Sequence, residues 1–261
     1  MSAGVKVGAL GGTDALPYAV SLMPYTVSRI RYAVRHGRLG AVPNRATELV
    51  WDEKSAAVDG GLTRSAVVRA AIAIADAEGL DAVSMRRVAA ALDVRPMSLY
   101  THVASKDDLI DLMLNEVVAE VLVPEPLPDD WREATRAVAA ASYRAFVAHT
   151  WALEAFGRRP HIGPNALRHA EQSVAAIAPL GLDPDDAWLV LAIVDEFTLG
   201  HAVRGVAFDE ESMRRRLPEI DPAVYPNLAR LGYPGTTDAQ HAFEQGLEVV
   251  LEGIAGRYAR R

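Results

Sequence analysis

The most informative stretch of this chain is the run Ser84-Met-Arg-Arg-Val-Ala-Ala-Ala-Leu-Asp-Val-Arg-Pro-Met-Ser-Leu-Tyr-Thr-His-Val-Ala-Ser-Lys106. It predicts two short helices with a tight turn between them. Val88 and Leu92 lie four residues apart and define the apolar side of the first helix. Leu99 and Val103 do the same for the second. A helix of about two turns is marginal in water on its own, so each must dock its apolar side on further helices.

The exposed side of the second helix is basic and rich in hydroxyl groups. The run 84–106 contains four basic residues and a single acid, Asp93. A short helix with an apolar back and such a front is suited to reading base edges in the major groove of DNA. We expect the groove-facing side chains to be Arg86, Arg95, Met97, Ser98 and Thr101.

The end of this run resembles a known family. Leu99-Tyr-Thr-His-Val-Ala-Ser-Lys-Asp-Asp-Leu109 is similar to the aliphatic-Tyr-x-His/Tyr-Val/Phe-x-x-Lys-x-x-Leu hallmark of the TetR family of bacterial transcriptional regulators. The similarity extends in order from Leu62 to Met113. It implies a ligand-responsive, homodimeric repressor that binds a palindromic operator in double-stranded DNA. The alternative interpretation is an ordinary helical hairpin in an all-α protein.

Further side chains around the two helices are expected to hold DNA phosphates, which fix the register of a protein but carry little sequence information. The candidates are Thr63, Arg64, Tyr100, His102 and Lys106. Ser84 is expected to cap the first helix at the DNA-binding surface. Arg87 either flanks the groove or pairs with Asp93.

The charge is distributed unevenly along the 261 residues. The net charge of −7 at first argues against nucleic acid as a partner. Residues 62–110 are nevertheless balanced, with six basic and six acidic side chains, whereas residues 111–261 carry fourteen basic and twenty-three acidic ones. The acidic part is thus separate from the proposed DNA-reading surface, and DNA binding needs only a local basic surface.

The composition restricts the cellular context. The absence of cysteine excludes disulfides and thiolate metal sites. No run of 18 uncharged apolar residues predicts a transmembrane helix, and the N-terminus lacks the pattern of a secretory signal. We therefore expect a cytoplasmic protein without a membrane partner.

Composition and proline placement divide the chain into four parts. Residues 1–61 are interpreted as a flexible N-terminal extension. Residues 62–110 form the helix-turn-helix DNA-binding domain, and residues 111–128 form a connecting helix and a spacer with three prolines. Residues 129–261 form a larger helical domain for ligand binding and dimerisation.

Helical periodicity continues to the end of the chain and predicts an all-α fold. Thr63, Ser105, Asp130 and Thr237 are predicted to cap four of the helices. Apart from the two short helices within 84–106, the predicted helices span 62–79, 105–122, 130–149, 151–156, 164–178, 184–204, 222–231 and 238–258.

The helix at 184–204 is apolar on most sides, and the helix at 238–258 has the same character. Such helices must be buried on more than one side. Two of them from each of two chains would form an intermolecular four-helix bundle. The segments 195–200 and 243–253 are also similar to the C-terminal domain of the tetracycline-repressor branch. We therefore expect a homodimer through these two helices.

Polar and aromatic side chains within 130–205 are candidates for contacts with an unknown small-molecule effector. His169 and Ser173 share one helical face, as do Phe197 and His201, because each pair is four residues apart. The full candidate set is His149, Phe156, His161, Asn165, His169, Ser173, Trp188, Phe197 and His201.

The resemblance to tetracycline repressors has limits at this site. His161-Ile-Gly163 is similar to the segment in which that branch places a drug- and metal-contacting histidine. Arg204, however, stands where the branch has a carboxylate that supports magnesium. No two histidines form the His-x-x-x-His pair that a helix-borne zinc site prefers. We expect neither a metal site nor a cofactor.

Two other classes of protein remain as alternatives. A helical enzyme would have Glu196 and His201 as its best acid–base pair, but the chain lacks cysteine, a Gly-x-Ser-x-Gly motif and a Walker loop. A protein-binding adaptor would use the C-terminal core for a partner protein. We expect a regulator rather than an enzyme, and sequence-selective DNA binding separates a regulator from an adaptor.

Overall fold

A computed structural model of the protein describes residues 62–158, 163–207, 221–231 and 238–258, and these residues contain α-helices and no β-strand. The all-α class is therefore confirmed. The helices are α1 Arg64–Glu78, α2 Met85–Ala91, α3 Pro96–Leu99, α4 Lys106–Val121, α5 Trp131–Ala148, α6 Thr150–Arg158, α7 Pro164–Ile177, α8 Pro184–Ala207, α9 Pro226–Leu231 and α10 Ala239–Tyr258. The predictions for residues 1–61, His161 and Thr237 lie outside the described residues.

Three of the predicted caps are present at the starts of α1, α4 and α5. Thr63 Oγ1 accepts a hydrogen bond from the Ala66 backbone N–H at 3.1 Å. Ser105 Oγ accepts one from the Asp108 N–H at 3.1 Å. Asp130 caps α5 in the same way. Each side-chain oxygen satisfies a backbone donor that has no partner within its helix.

The start of α10 has a different cap from the one predicted, and the start of α9 lies furthest from its prediction. Helix α10 begins at Ala239, because Asp238 Oδ1 accepts a hydrogen bond from the Gln240 N–H at 3.2 Å and caps the helix. Helix α9 begins only at Pro226, four residues later than predicted. Before it, the Tyr225 N–H donates to the Asp221 carbonyl oxygen at 2.8 Å and closes a turn. Proline is favoured in the first turn of a helix, so the helix begins at Pro226.

The turn between α2 and α3 depends on Asp93, which has a left-handed backbone with φ 54°. The Asp93 N–H donates to the Ala90 carbonyl at 3.3 Å, and the Val94 N–H donates to the Ala89 carbonyl at 3.0 Å. This pair of bonds is the closure with which many helices end, usually at a glycine. Aspartate adopts the left-handed region more readily than most residues, so it ends α2 and directs the chain into α3.

Helix α4 joins the head (α1–α3) to the helical body (α5–α10). It packs on α1 of the head and on α5 and α7 of the body. Six of its apolar residues are fully or almost fully buried, including Leu109, Met113 and Val117, while Ile110 and Leu112 are half-buried. A single hydrophobic core therefore runs from Val67 in α1 to Tyr258 in α10. The proline spacer follows this shared helix.

Helices α5, α8 and α10 form the centre of the body. Gly246 of α10 faces the ring of Phe197 on α8 so closely that a Cβ atom there would lie 2.6 Å from Cζ. Arg136 and Glu248 join α5 to α10, with Nε and Oε1 2.6 Å apart. None of the described helices combines the length and apolar character needed to cross a lipid bilayer.

Replacing Asp93 with valine should lower the free energy of unfolding by about 1–2 kcal/mol, because a β-branched side chain is strained in the left-handed region. Asp93→Gly is the matched control and should stay within about 0.5 kcal/mol of the wild type, since glycine has no such strain. Urea denaturation measures both. Equal destabilisation by the two variants would show that the carboxylate, not the backbone, matters at this position.

Candidate nucleic-acid interface and effector core

Helix α3 and the turn after it present one exposed face, behind which Leu99 and Val103 are buried. Met97 is 74% exposed on this face. Thr101 Oγ1 donates to the Ser98 carbonyl at 2.8 Å, so the helical path continues beyond the end of α3. Four of the five predicted groove-facing residues lie on or next to this face, namely Arg95, Met97, Ser98 and Thr101.

The other basic residues of the head have two different surroundings. Arg86 on α2 and Lys106 at the start of α4 are exposed and form no ion pair with the described residues. Arg64 instead donates from Nε to the carbonyl oxygen of His102 at 3.1 Å. This bond connects the first turn of α1 to the end of the α3 turn. Arg64 therefore holds the recognition segment, which is α3 and the turn after it, in place against α1. This role does not depend on a contact between Arg64 and DNA.

Arg87 pairs with Glu78 of α1 and not with Asp93. The guanidinium Nη1 lies 2.7 Å from Glu78 Oε2, and Nη2 bonds the second carboxylate oxygen. The hydrogen bonds to Arg87 hold the pKa of Glu78 below its ordinary value, and Glu78 in turn raises the pKa of Arg87. Glu78 therefore balances the charge of Arg87 at the surface. Contact between Arg87 and DNA stays a prediction.

A polar junction connects the head to the body. His149 at the end of α5 directs Nδ1 to Asp76 Oδ1 of α1 at 2.7 Å and Nε2 to Glu120 Oε2 of α4 at 3.1 Å. The indole N–H of Trp151 on α6 donates to the same Asp76 oxygen at 2.7 Å. The sequence pattern placed His149 among the effector contacts and did not point to the two acids, because they come from separate helices.

Two side-chain amides attach α7 to the connecting segment. The Asn165 Nδ2 group donates to the Asn115 carbonyl at 2.9 Å, and the Asn165 backbone N–H donates to Asn115 Oδ1 at 3.0 Å. Two turns later, Gln172 bonds both the N–H and the carbonyl of Val123, at 3.1 and 2.9 Å. Asn165 is thus engaged within the protein, and no sequence pattern pointed to its partner Asn115.

His169 lies between these two amides on the same side of α7. Its Nδ1 atom is buried and has no hydrogen-bond partner in the described part of the chain. Burial lowers the pKa of His169 to about 4, so the ring is neutral at pH 7. Ser173 Oγ donates to the His169 carbonyl at 2.9 Å and is therefore satisfied by its own helix.

An aromatic cluster joins α5, α8 and α10. The rings of Tyr143 and Phe243 stack with their centroids 4.2 Å apart. Phe197 and His201, both predicted effector contacts, lie 5.1 Å from each other and border this stack. Burial, followed by the charge of Arg204, lowers the pKa of His201. The sequence pattern missed Tyr143 and Phe243 as neighbours of the two predicted residues.

The remaining predicted effector contacts are dispersed. Phe156 packs edge-on against Phe146 with the ring centroids 5.8 Å apart. Trp188 is half-buried against the core.

Burial, followed by the charge of Glu196, raises the pKa of Asp195 in α8 to about 7. Among the described residues, no three histidine or acidic side chains are grouped so as to hold a metal ion.

The outer faces of α8 and α10 carry exposed apolar side chains. Leu189 and Ile193 are exposed on α8, and Val249 is 68% exposed on α10. The glycines at 200 and 253 have open space where a Cβ atom would project. Because a glycine has no side chain, another helix can approach closely at these positions and pack against the neighbouring aliphatic groups.

A helix-turn-helix head with an exposed basic reading face on a helical body defines a class of DNA-binding transcriptional regulators. Residues 67–113 match the family described as bacterial regulatory proteins, tetR family. Residues 123–258 match the tetracyclin repressor-like C-terminal domain. The chain belongs to the TetR family of bacterial transcriptional regulators, and the predicted family is confirmed.

Individual relatives agree with this assignment. The transcriptional repressor DrrR1 of Streptomyces coeruleorubidus is 34% identical over 236 residues, which cover 83% of this chain and 87% of that protein. The class C tetracycline repressor from Escherichia coli is 28% identical over 206 residues, or 74% of this chain and 90% of that protein.

Solved structures show the same fold. Apo ActR from Streptomyces coelicolor superposes with a TM-score of 0.65 and 32% identity, covering 76% of this chain and 97% of ActR. ActR in complex with actinorhodin gives a TM-score of 0.64 and 34% identity, with the same two coverages of 76% and 97%.

Proposed function

We propose that the protein is a homodimeric transcriptional repressor that a small molecule releases from a palindromic operator. The observation that carries the proposal is the exposed face of α3, where Arg95, Met97 and Ser98 stand clear of a buried apolar back. The function of the similar repressors supports it. A regulator of this kind has to reach the chromosomal DNA. We therefore infer that the protein is located in the cytoplasm.

The exposed faces of α8 and α10 support a dimer. Burying Leu189, Ile193 and Val249 against a second copy would remove their apolar surface from water. A two-fold axis between the bodies would place the two heads in successive major grooves, about 34 Å apart. Arg95 would then be able to pair with guanine in each half-site, while Lys106 would contact the backbone.

His169 supports an effector site in the body. A neutral imidazole whose buried Nδ1 lacks a partner suits an uncharged hydroxyl or carbonyl group of a ligand better than a carboxylate. Phe197 and His201 add half-buried ring surface. The effector would lower operator affinity by binding more tightly to the conformation in which the heads do not fit the operator.

The DNA-binding proposal is tested by substituting the two kinds of contact. Arg95→Ala should remove about 1–3 kcal/mol of discrimination between the selected operator and mismatched sites. Lys106→Ala should instead weaken all sequences equally and reduce the salt slope by about one. Fluorescence anisotropy at several salt concentrations measures both, with the exposed body residue in Arg144→Ala as control. A wild-type protein without sequence-selective binding at moderate salt would contradict the proposal.

The dimer is tested by placing a charge on the α10 face. Val249→Glu should shift the protein toward monomers, because the charge would be buried in the bundle without a partner. Sedimentation velocity measures the change. Val174→Glu provides the control at an exposed valine of α7 and should leave the dimer intact. Dissociation by the control but not by Val249→Glu would place the interface elsewhere.

The effector site is tested with actinorhodin, the ligand of the ActR complex, as the probe. Actinorhodin should release the wild-type protein from its operator. His169→Phe should raise the concentration required by about threefold or more, because one hydrogen bond is lost. Operator release is followed by anisotropy, and the exposed histidine in His241→Phe serves as control. Release at unchanged concentration from His169→Phe would exclude a contact at this ring.

A further inference from the structure

The junction of His149, Asp76, Glu120 and Trp151 is the polar connection between head and body that the proposed DNA and effector contacts leave unexplained. The histidine side chain is only 11% exposed, and its neighbours come from α1, α4 and α6. Asp76 Oδ1 accepts a hydrogen bond from the indole N–H and lies 2.7 Å from the imidazole Nδ1. The junction therefore holds both α1 of the head and the connecting helix α4 to the end of α5.

The geometry determines the protonation state of the ring. A neutral imidazole carries one N–H donor and one acceptor nitrogen, whereas the imidazolium carries two donors. Both ring nitrogens of His149 face carboxylate oxygens, at 2.7 Å for Asp76 and 3.1 Å for Glu120. Two ionised carboxylates can both accept hydrogen bonds only when both nitrogens carry protons. The arrangement therefore requires His149 to be charged.

We propose that the imidazolium of His149 is a positioning group that binds the DNA-binding head to the body, so that head orientation is coupled to the uptake of one proton per protomer. Losing that proton removes one of the two hydrogen bonds and leaves one carboxylate facing a nitrogen lone pair. The head then gains freedom relative to the body. An operator that requires two heads at a fixed spacing has to restrict that freedom again, so its affinity falls.

The surroundings of the ring favour the charged form. Burial disfavours the imidazolium, but the hydrogen bonds to Asp76 and Glu120, together with their charges, outweigh burial and raise the pKa of His149 above its ordinary value. Asp76 from α1 and Glu120 from α4 are the charged groups that act on it, while α6 contributes the uncharged indole of Trp151. The stabilisation is complete below the ordinary pKa of histidine and is lost as pH rises through the raised one.

Two substitutions separate a proton-coupled role from a merely structural one. His149→Gln removes the ionisable group and leaves an amide that cannot donate to both carboxylates. Glu120→Gln keeps the contact without the charge, because a neutral His149 can donate from Nδ1 to Asp76 and accept from the new amide at Nε2. Glu120 is also more than half exposed, so its replacement should leave folding intact even if His149→Gln does not.

The first measurement is independent of DNA and therefore of the proposed function. Nitrogen-15 NMR of histidine-labelled full-length protein should show both His149 ring nitrogens protonated at pH 7, with a pKa above that of a free histidine. Glu120→Gln should lower this pKa. A neutral ring at pH 7 in the wild type, or a pKa unchanged in Glu120→Gln, would overturn the proposal.

The second measurement follows operator affinity from pH 6 to pH 8.5 at constant salt and rests on the proposed function. Wild-type affinity should fall by about tenfold more than that of Glu120→Gln, the equivalent of one charge-assisted hydrogen bond. His241→Gln, at an exposed histidine of α10, should retain the wild-type pH dependence. Equal pH dependence of wild type and Glu120→Gln, with normal NMR results, would overturn the coupling to DNA while leaving the charged junction in place.

Discussion

The burial of α4 on both of its sides is the interaction on which the other parts of the structure depend. Leu109, Met113 and Val117 lie in one core shared by head and body. A close-packed interior resists small displacements of its elements, so α4 does not move independently of what it packs on. Since α4 packs on α1 as well as on α5 and α7, a displacement of α5 or α7 would reach α1 of the head through α4. A single shared helix therefore joins the acidic body to a head whose α1–α3 region, residues 64–99, carries five basic and four acidic side chains.

Polar contacts attach this shared helix at defined points. The amides of Asn165 and Gln172 bind the connecting segment to α7, and His149 binds α4 and α1 to the end of α5. Partly buried bonds of this kind specify one arrangement, because a group left without its partner is costly. His169 lies between the two amides with its Nδ1 unpaired. A ligand that bonds this ring would thus act next to the contacts that position α4.

Most of the fold was predictable because it depends on local signals. The apolar periodicity located the helices, and side chains such as Thr63, Ser105 and Asp130 marked their starts. The site was predictable only in part. The reading face follows from the α3 sequence alone, whereas the bond from Arg64 to the His102 carbonyl spans 38 residues and has no local pattern. The same holds for Asn115, Asp76 and Glu120, whose partners lie in distant helices.

Local sequence was enough to predict the helices, the turn between α2 and α3 and the family, since each depends on residues close together in the chain. It also indicated which side chains of α3 are exposed. The tertiary structure alone decided how the polar side chains of the body are used. It placed His149 between two carboxylates, engaged Asn165 with Asn115 and left the Nδ1 of His169 without a partner. The physical reason is that hydrogen-bond satisfaction depends on which helices meet, and helical periodicity does not encode that choice.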